Sequence, residues 1–179
     1  MNKLLVPTLL AALLAACGST PPAGDGAPVE GRTPSGSTVT TVTASGVDAT
    51  GLPRELTDGK SILSKRLVYF DYDKYDIKDE YKDLVAAHAK FLSANRQFKV
   101  LLQGHTDERG SREYNLSLGQ KRADAVKRNL MLLGAKEEQI ESVSLGKEKP
   151  AAEGHDESAW AKNRRAHILY KGPTGTGEF

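Results

Sequence analysis

The stretch from Gly18 to about Thr57 limits how much of this chain can fold, because it lacks the side chains that build a hydrophobic core. It is dominated by Gly, Ser, Thr, Pro and Ala, contains no aromatic residue and has few large aliphatic ones. Such a segment cannot bury enough apolar surface to offset the entropy lost on ordering. We therefore predict a disordered, flexible tether over residues 17–57, a folded domain at 58–172 and a tail without pattern at 173–179.

The N-terminus has the form of a secretory signal that ends at a single cysteine. A basic start at Lys3 is followed by an apolar run of about 13 residues, which is shorter than the ~20 that a membrane-spanning helix needs. Small residues then lead into Cys17, in the order Leu-Ala-Ala-Cys-Gly. Residues 1–16 are predicted to be a signal peptide, and an ordinary cleaved signal with an incidental cysteine is the alternative to lipid attachment.

The order of residues around Cys17 resembles a bacterial lipobox. This resemblance implies that the thiol of Cys17 carries a diacylglycerol and becomes the mature N-terminus, a role that suits the strongest nucleophile among the side chains. Gly18 follows the cysteine where an Asp would signal retention in the inner membrane. The resemblance therefore implies a lipid-anchored protein of the outer membrane.

Beyond Asp58 the apolar side chains recur with the periods of alternating strands and helices. Ser111 is predicted to cap the longest helix, and Gly134 to end it. The predicted strands are at 67–71, 97–103, 140–145 and 166–170, and the predicted helices at 79–93, 111–133 and 157–164. The order βαβαβ, followed by a short helix and a last strand, indicates an α/β domain with a mixed four-stranded sheet packed with helices.

Two acidic loops follow the first two predicted strands, one with Tyr72 and Asp73 and the other with Asp107. Strands joined by a helical crossover are normally parallel, so both loops should lie at the same end of the sheet, where open α/β sheets bind ligands. Leu118 and Arg122 share a helix face that could flank the second loop. Carboxylates, an arginine and apolar surface would then converge on a site that suits a zwitterion.

Several motifs of the predicted domain resemble the peptidoglycan-associated lipoproteins of the OmpA-like family. The segment VYFDYDKYDI matches the opening of such a domain, and GHTDERG, continuing into YNLSLG, matches the peptidoglycan-binding motif. The resemblance covers about residues 67–170 without gaps. Its further matching segments are 122–123, 146–150, 154–157 and 162–166.

The family resemblance implies that the domain binds the stem peptide of uncrosslinked peptidoglycan through its diaminopimelate residue, without catalysis and without a cofactor. Asp107 and Arg122 match the pair that holds the ammonium and the carboxylate of that residue. The other matching contacts lie in the first loop and near the start of the long helix, at Tyr72, Asp73, Ser111 and Leu118. We expect Asp107 and Arg122 to face an open cleft, so that replacing them leaves the fold intact.

The resemblance also implies the cellular setting. A lipoprotein of this kind belongs to the Tol-Pal system, faces the periplasm from the outer membrane, and binds a TolB-like periplasmic propeller protein. It tethers the outer membrane to the cell wall and supports envelope integrity and outer-membrane constriction during cell division. The formal net charge of +2 is too balanced to suggest a nucleic-acid partner.

Three other classes of function remain as alternatives. Asp71, Asp73 and Asp107 could be an acid/base set acting on a glycan, although Asp71 alone is more simply a turn carboxylate. A metal site would have to use histidines that lack paired ligand spacing: His88, His105, His155 and His167. A pure protein-interaction module is compatible with the main interpretation. The segment 163–165 is interpreted as a structural hydrogen-bonding cluster near the last strand.

Overall fold

The computed structural model describes residues 46–47 and 51–179. The predicted signal peptide, Cys17 and most of the predicted tether lie outside the described residues. The strands are β1 Leu67–Tyr69, β2 Lys99–His105, β3 Ile140–Gly146 and β4 Arg165–Lys171. The helices are α1 Arg54–Thr57, α2 Lys82–Ala94, α3 Arg112–Leu132 and α4 Glu157–Asn163, with 3₁₀ turns at Ile62–Ser64, Asp79–Tyr81 and Glu137–Gln139. In the described part of the chain, no helix is long and apolar enough to cross a membrane.

The four strands form one mixed sheet in the order β1-β4-β2-β3, which confirms the predicted fold class. β2 and β3 are parallel, whereas β4 lies between β1 and β2 and is antiparallel to both. β1 and β2 therefore run in the same direction without being neighbours. The loops that follow them emerge at the same end of the sheet, as expected from the sequence.

The two long helices, α2 and α3, pack together on the sheet. α3 packs on β2, β3 and β4, and α2 packs beside α3. Ser111 caps α3, since its hydroxyl accepts from the backbone N–H of Tyr114 at 3.2 Å. The helix ends at Gly134, whose φ of 103° lies in the left-handed region that favours glycine. Leu133 is half exposed, because it lies at this C-terminal turn.

A close approach of backbones fixes α3 on the sheet. A Cβ atom added at Gly104 of β2 would lie 1.8 Å from the carbonyl oxygen of Gly119 of α3. One added at Gly119 would lie 2.3 Å from the Ser144 hydroxyl on β3. Only glycine permits this contact, and it brings the N-terminal half of α3 over the carboxyl end of β2.

The folded part extends beyond both boundaries predicted from the sequence. Leu52 and Leu56 precede the predicted start at Asp58, yet both are buried in the core. The buried guanidinium of Arg66 donates to the carbonyl of Leu56 at 2.7 Å and to the carboxylate of Glu178 at 2.6 Å. The expected tail at 173–179 is mostly exposed, but it is attached to the domain by this ion pair and by a backbone hydrogen bond from Glu178 to the carbonyl of Tyr170 at 2.8 Å.

His88 lies in the core with no exposed surface. Its Nδ1 is 2.9 Å from the Tyr170 hydroxyl and its Nε2 is 2.9 Å from the carbonyl oxygen of Lys65. Burial lowers the pKa of His88 from 6.5 to about 4. This side chain is therefore neutral in the folded protein at neutral pH.

We expect His88 to make the domain less stable as the pH falls from 6.5 to 4. In this window the unfolded chain protonates His88 and the folded chain does not, so acid favours unfolding, by up to about 3 kcal/mol. Urea denaturation across this range should give a shallower pH dependence for His88→Gln than for the wild type. The exposed His155 has a pKa that the hydrogen bond to Glu108 raises, so the control variant His155→Gln should not make the dependence shallower. An unchanged slope in His88→Gln would contradict this prediction.

Candidate ligand-binding site

A small cavity of about 110 Å³ lies between the loops that follow β1 and β2 and the first three turns of α3. It is lined by Tyr72, Asp73, Thr106, Asp107, Arg109, Gly110, Tyr114, Asn115, Leu118 and Arg122. Five of the six residues predicted as ligand contacts are brought together here. The sixth, Ser111, does not line the cavity, and its hydroxyl is used to cap α3.

Arg122 is buried in the cavity wall, with no exposed surface. Its Nε, Nη1 and Nη2 donate to the backbone carbonyls of Lys74, His105 and Asp71 at 2.9, 2.8 and 3.2 Å. Burial lowers the pKa of Arg122 to about 10, against the opposing charge of Asp107, so the group stays protonated at neutral pH. Since a guanidinium carries five N–H groups, two remain for a ligand.

The expectation that Arg122 faces an open cleft is wrong, because the side chain has no exposed surface, and we therefore predict that replacing it costs stability. Its three hydrogen bonds join the loop after β1, around Asp71 and Lys74, to His105 at the end of β2. Spacing along a helix predicts which face a side chain occupies but not how deeply it is buried. Arg122 is therefore part of the structure that forms the site, as well as part of its surface.

Asp107 is 5% exposed and already has partners within the protein. Its Oδ1 accepts from the backbone N–H of Arg109 at 3.1 Å, and its Oδ2 accepts from Arg109 Nη2 at 2.6 Å and Arg164 Nη1 at 3.5 Å. Burial raises the pKa of this carboxyl, but the hydrogen bonds from Arg109 outweigh it, and the net pKa is lowered. Asp107 is thus ionised. It does not face the open cleft that was expected from the sequence. A cationic ligand would have to bind this carboxylate alongside Arg109 and Arg164.

The loop after β1 contributes Tyr72 and Asp73. Asp73 has a φ of 57° and is the one non-glycine residue of the described ranges in the left-handed region, a conformation that Asp tolerates better than most side chains. Its carboxylate accepts a hydrogen bond from the hydroxyl of Tyr114, which raises the pKa of that hydroxyl. The bond joins the first loop to α3 across the mouth of the cavity.

Sequence reasoning did not assign a site role to Arg109, Asn115 or Trp160. Asn115 is buried and donates through Nδ2 to the carbonyl of Arg109 at 2.9 Å. Asn115 lies four residues after Ser111 and three before Leu118, so the helical period could have shown that it shares a helix face with Leu118. Trp160, on α4, packs its ring 4.0 Å from the Arg109 guanidinium, and no local pattern indicates that contact.

The segment at 163–165 forms the structural cluster predicted for it. Asn163 Oδ1 accepts from the backbone N–H groups of Ala151 and Ala152 at 2.7 and 3.0 Å. Arg165 donates to backbone carbonyls, one of them that of Lys149 at 3.1 Å. Arg164 differs from its neighbours, since its Nη1 also donates to Asp107 Oδ2 at 3.5 Å and so helps to hold Asp107 in place.

The charges around the cavity suit a small ligand that carries both signs. The cations are Arg109, Arg122 and Arg164, and the carboxylates are Asp73, Asp107 and Glu157. Asp71 pairs with Lys78 at 2.8 Å, a hydrogen bond that lowers the pKa of its carboxyl, as a turn carboxylate would. Lowered pKa values at Asp71 and Asp107 do not suit a general acid. Within the described ranges, no group of three or more potential ligand side chains is arranged to hold a metal.

Fold and site together define a small α/β domain with a cavity between its loops that is lined by charges of both signs. Residues 69–164 match the OmpA family. The peptidoglycan-associated lipoprotein of Pasteurella multocida is 54% identical over 103 residues, which are 58% of this chain and 69% of that protein. That of Legionella pneumophila is 38% identical over 165 residues and 90% of both chains.

A solved structure also groups the chain with the peptidoglycan-associated lipoproteins. The crystal structure of the peptidoglycan-associated lipoprotein from Burkholderia pseudomallei has a TM-score of 0.65 and 56% sequence identity, covering 65% of this chain and 99% of that one. The chain belongs to the OmpA family, among its peptidoglycan-associated lipoproteins. This membership confirms the resemblance seen in the motifs and the prediction that the chain is not an enzyme.

Proposed function

We propose that the domain binds the zwitterionic end of a diaminopimelate-containing stem peptide in the cavity between its loops, and so attaches to peptidoglycan without altering it. One observation carries this proposal: two ionised, almost fully buried side chains of opposite sign, Asp107 and Arg122, line the same small cavity. Burying charges is unfavourable unless partners satisfy them. Both groups have protein partners, and both retain capacity to bind a ligand.

The size of the cavity agrees with a ligand end group. A cavity of about 110 Å³ suits the small charged end of a ligand and not a whole stem peptide. The ammonium of the ligand would lie against Asp107, and its carboxylate would accept the two remaining N–H groups of Arg122. Leu118 supplies apolar contact for the methylene chain between the zwitterion and the peptide.

The cellular part of the proposal begins with Cys17, which lies outside the described ranges. We infer that Cys17 carries the lipid anchor in the outer membrane, with the domain facing the periplasm. We also infer that a TolB-like propeller protein is a partner and that the protein supports outer-membrane constriction during division. The lipobox-like order at Cys17 and the lipoprotein names of the relatives support this inference.

Sedimentation with purified sacculi tests the binding proposal. The full chain, incubated with sacculi and centrifuged, is expected in the pellet, with no soluble muropeptides released into the supernatant. Release of fragments would support the alternative of a glycan- or peptide-cleaving enzyme. A chain that stays in the supernatant would contradict binding.

The anchoring proposal predicts a change of location in Cys17→Ser. A serine hydroxyl cannot replace the thiol that accepts the lipid, so the variant should appear as soluble periplasmic or uncleaved protein. Membrane fractionation and the mass of the mature chain measure this. Recovery of the variant in the outer membrane, with lipid attached, would contradict the assignment of Cys17.

A further inference from the structure

Arg109 is held in an aromatic stack that the proposed function leaves unexplained. Its guanidinium carbon lies 4.1 Å from the centre of the Tyr72 ring and 4.0 Å from the centre of the Trp160 ring. Tyr72 belongs to the loop after β1 and Trp160 to α4, so elements far apart in sequence enclose one side chain. We call these three residues the Arg109 stack.

The stack fixes the plane of the guanidinium and leaves donors free. One edge of Arg109 is bound to Asp107, through Nη2 at 2.6 Å. Arg109 Nε is buried without a protein hydrogen-bond partner, and the residue lines the cavity. Planar guanidinium groups stack on aromatic rings, and a fixed plane lowers the entropy lost when the group binds a carboxylate. Arg109 is thus a pre-oriented donor in the wall of the site.

Two guanidinium groups then share one cavity, since Arg122 also retains two N–H groups there. A carboxylate has about four acceptor positions, enough to accept from both. We propose, on the basis of the proposed function, that Arg109 is a second ligand-binding residue, which donates to the carboxylate of the zwitterionic end. Trp160, which does not line the cavity, is the positioning residue for Arg109.

The position of Trp160 is itself fixed. Its Nε1 donates to the carboxylate of Glu108 at 2.8 Å, and the same carboxylate lies 2.8 Å from His155 Nδ1. Glu108 is the residue before Arg109, so the loop after β2 holds both the arginine and the ring that covers it. Phenylalanine at position 160 would keep the stacked ring, whereas leucine would remove it.

Titration of the full chain with a diaminopimelate-containing stem peptide tests this role. The sequence contains one tryptophan, so its fluorescence reports on the Arg109 stack alone. Arg109→Gln is expected to weaken binding roughly 10- to 100-fold by calorimetry and to abolish the change in Trp160 emission on binding. Arg112→Gln is the control, because Arg112 is exposed, pairs with Glu148 at 3.1 Å and does not line the cavity. The control should change affinity less than about 2-fold, as expected for an exposed ion pair.

A second pair of variants separates positioning from folding. Trp160→Leu should weaken binding while circular dichroism shows a native fold, and Trp160→Phe should restore affinity to near the wild-type value. If Arg109→Gln does not fold, the two Trp160 variants alone show whether the stack positions Arg109 for binding. Wild-type affinity in both Arg109→Gln and Trp160→Leu would overturn this inference and leave the proposed function standing. Failure of the wild type to bind the peptide would overturn the proposed function, and this inference with it.

Discussion

Gly104→Ala is expected to lower the free energy of unfolding by about 3 kcal/mol or more, a large part of the roughly 5–15 kcal/mol that stabilises an ordinary domain. The added Cβ would lie 1.8 Å from the carbonyl oxygen and 2.6 Å from the carbonyl carbon of Gly119. Both are backbone atoms of α3, so no side-chain rotation relieves the clash. The helix would have to move away from β2, and the cavity between its first turns and the loops would open.

Gly59→Ala is the matched control for this prediction. A Cβ at Gly59 meets no atom within 4 Å, and the residue does not have a left-handed φ. Its substitution should leave stability unchanged or raise it slightly, since alanine reduces the entropy of the unfolded chain. Urea denaturation of both variants provides the comparison. A Gly104→Ala variant as stable as Gly59→Ala would show that α3 does not pack on β2 as closely as described.

Arg122→Lys is expected to lose both stability and ligand affinity, although the charge is kept. A lysine ammonium cannot match the planar geometry with which the arginine reaches the carbonyls of Lys74, His105 and Asp71. Carbonyls left without donors in a buried site cost about 1–3 kcal/mol each, so a loss of about 3 kcal/mol of stability is expected. Binding should weaken at least 10-fold, because the bidentate contact to the carboxylate is lost.

Arg128→Lys on the same helix is the control for Arg122→Lys. Arg128 is exposed and lies outside the cavity. Denaturation gives the stability difference, and calorimetric titration with the stem peptide at a temperature where both variants are folded gives the affinity difference. If Arg122→Lys matched the control in both measurements, neither the structural nor the binding role of Arg122 would hold.

Local patterns predicted most of the fold. The strands largely alternate buried and partly buried positions, Ser111 caps α3 and Gly134 follows its last turn, and each of these signals depends on neighbouring residues alone. The predicted element ends differ from the observed ones by at most three residues, and the starts of β1, β3 and α4 coincide. The mixed sheet also follows from local patterns, because the number and order of elements restrict the possible topologies.

Contacts between distant residues could not be predicted in this way. Leu52 and Leu56 are too sparse to show a period, and the carbonyl of Leu56 is bound by the buried Arg66, which in turn pairs with Glu178. In the site, too, contacts between distant residues could not be predicted from local patterns. The family resemblance pointed to Asp107 and Arg122 as the ligand-holding pair, but the partners that already hold them are set by tertiary packing.

The most direct test of the central proposal compares two stem peptides that differ at one residue. The full chain is titrated by calorimetry with a peptide containing diaminopimelate and with one containing lysine in its place. Lysine keeps the ammonium that lies against Asp107 but lacks the carboxylate that accepts from Arg122. Since hydrogen bonds to charged groups are worth about 1.5–3 kcal/mol, the diaminopimelate peptide should bind roughly 10- to 100-fold more tightly. Equal affinity for the two peptides would contradict recognition of a zwitterion by this site.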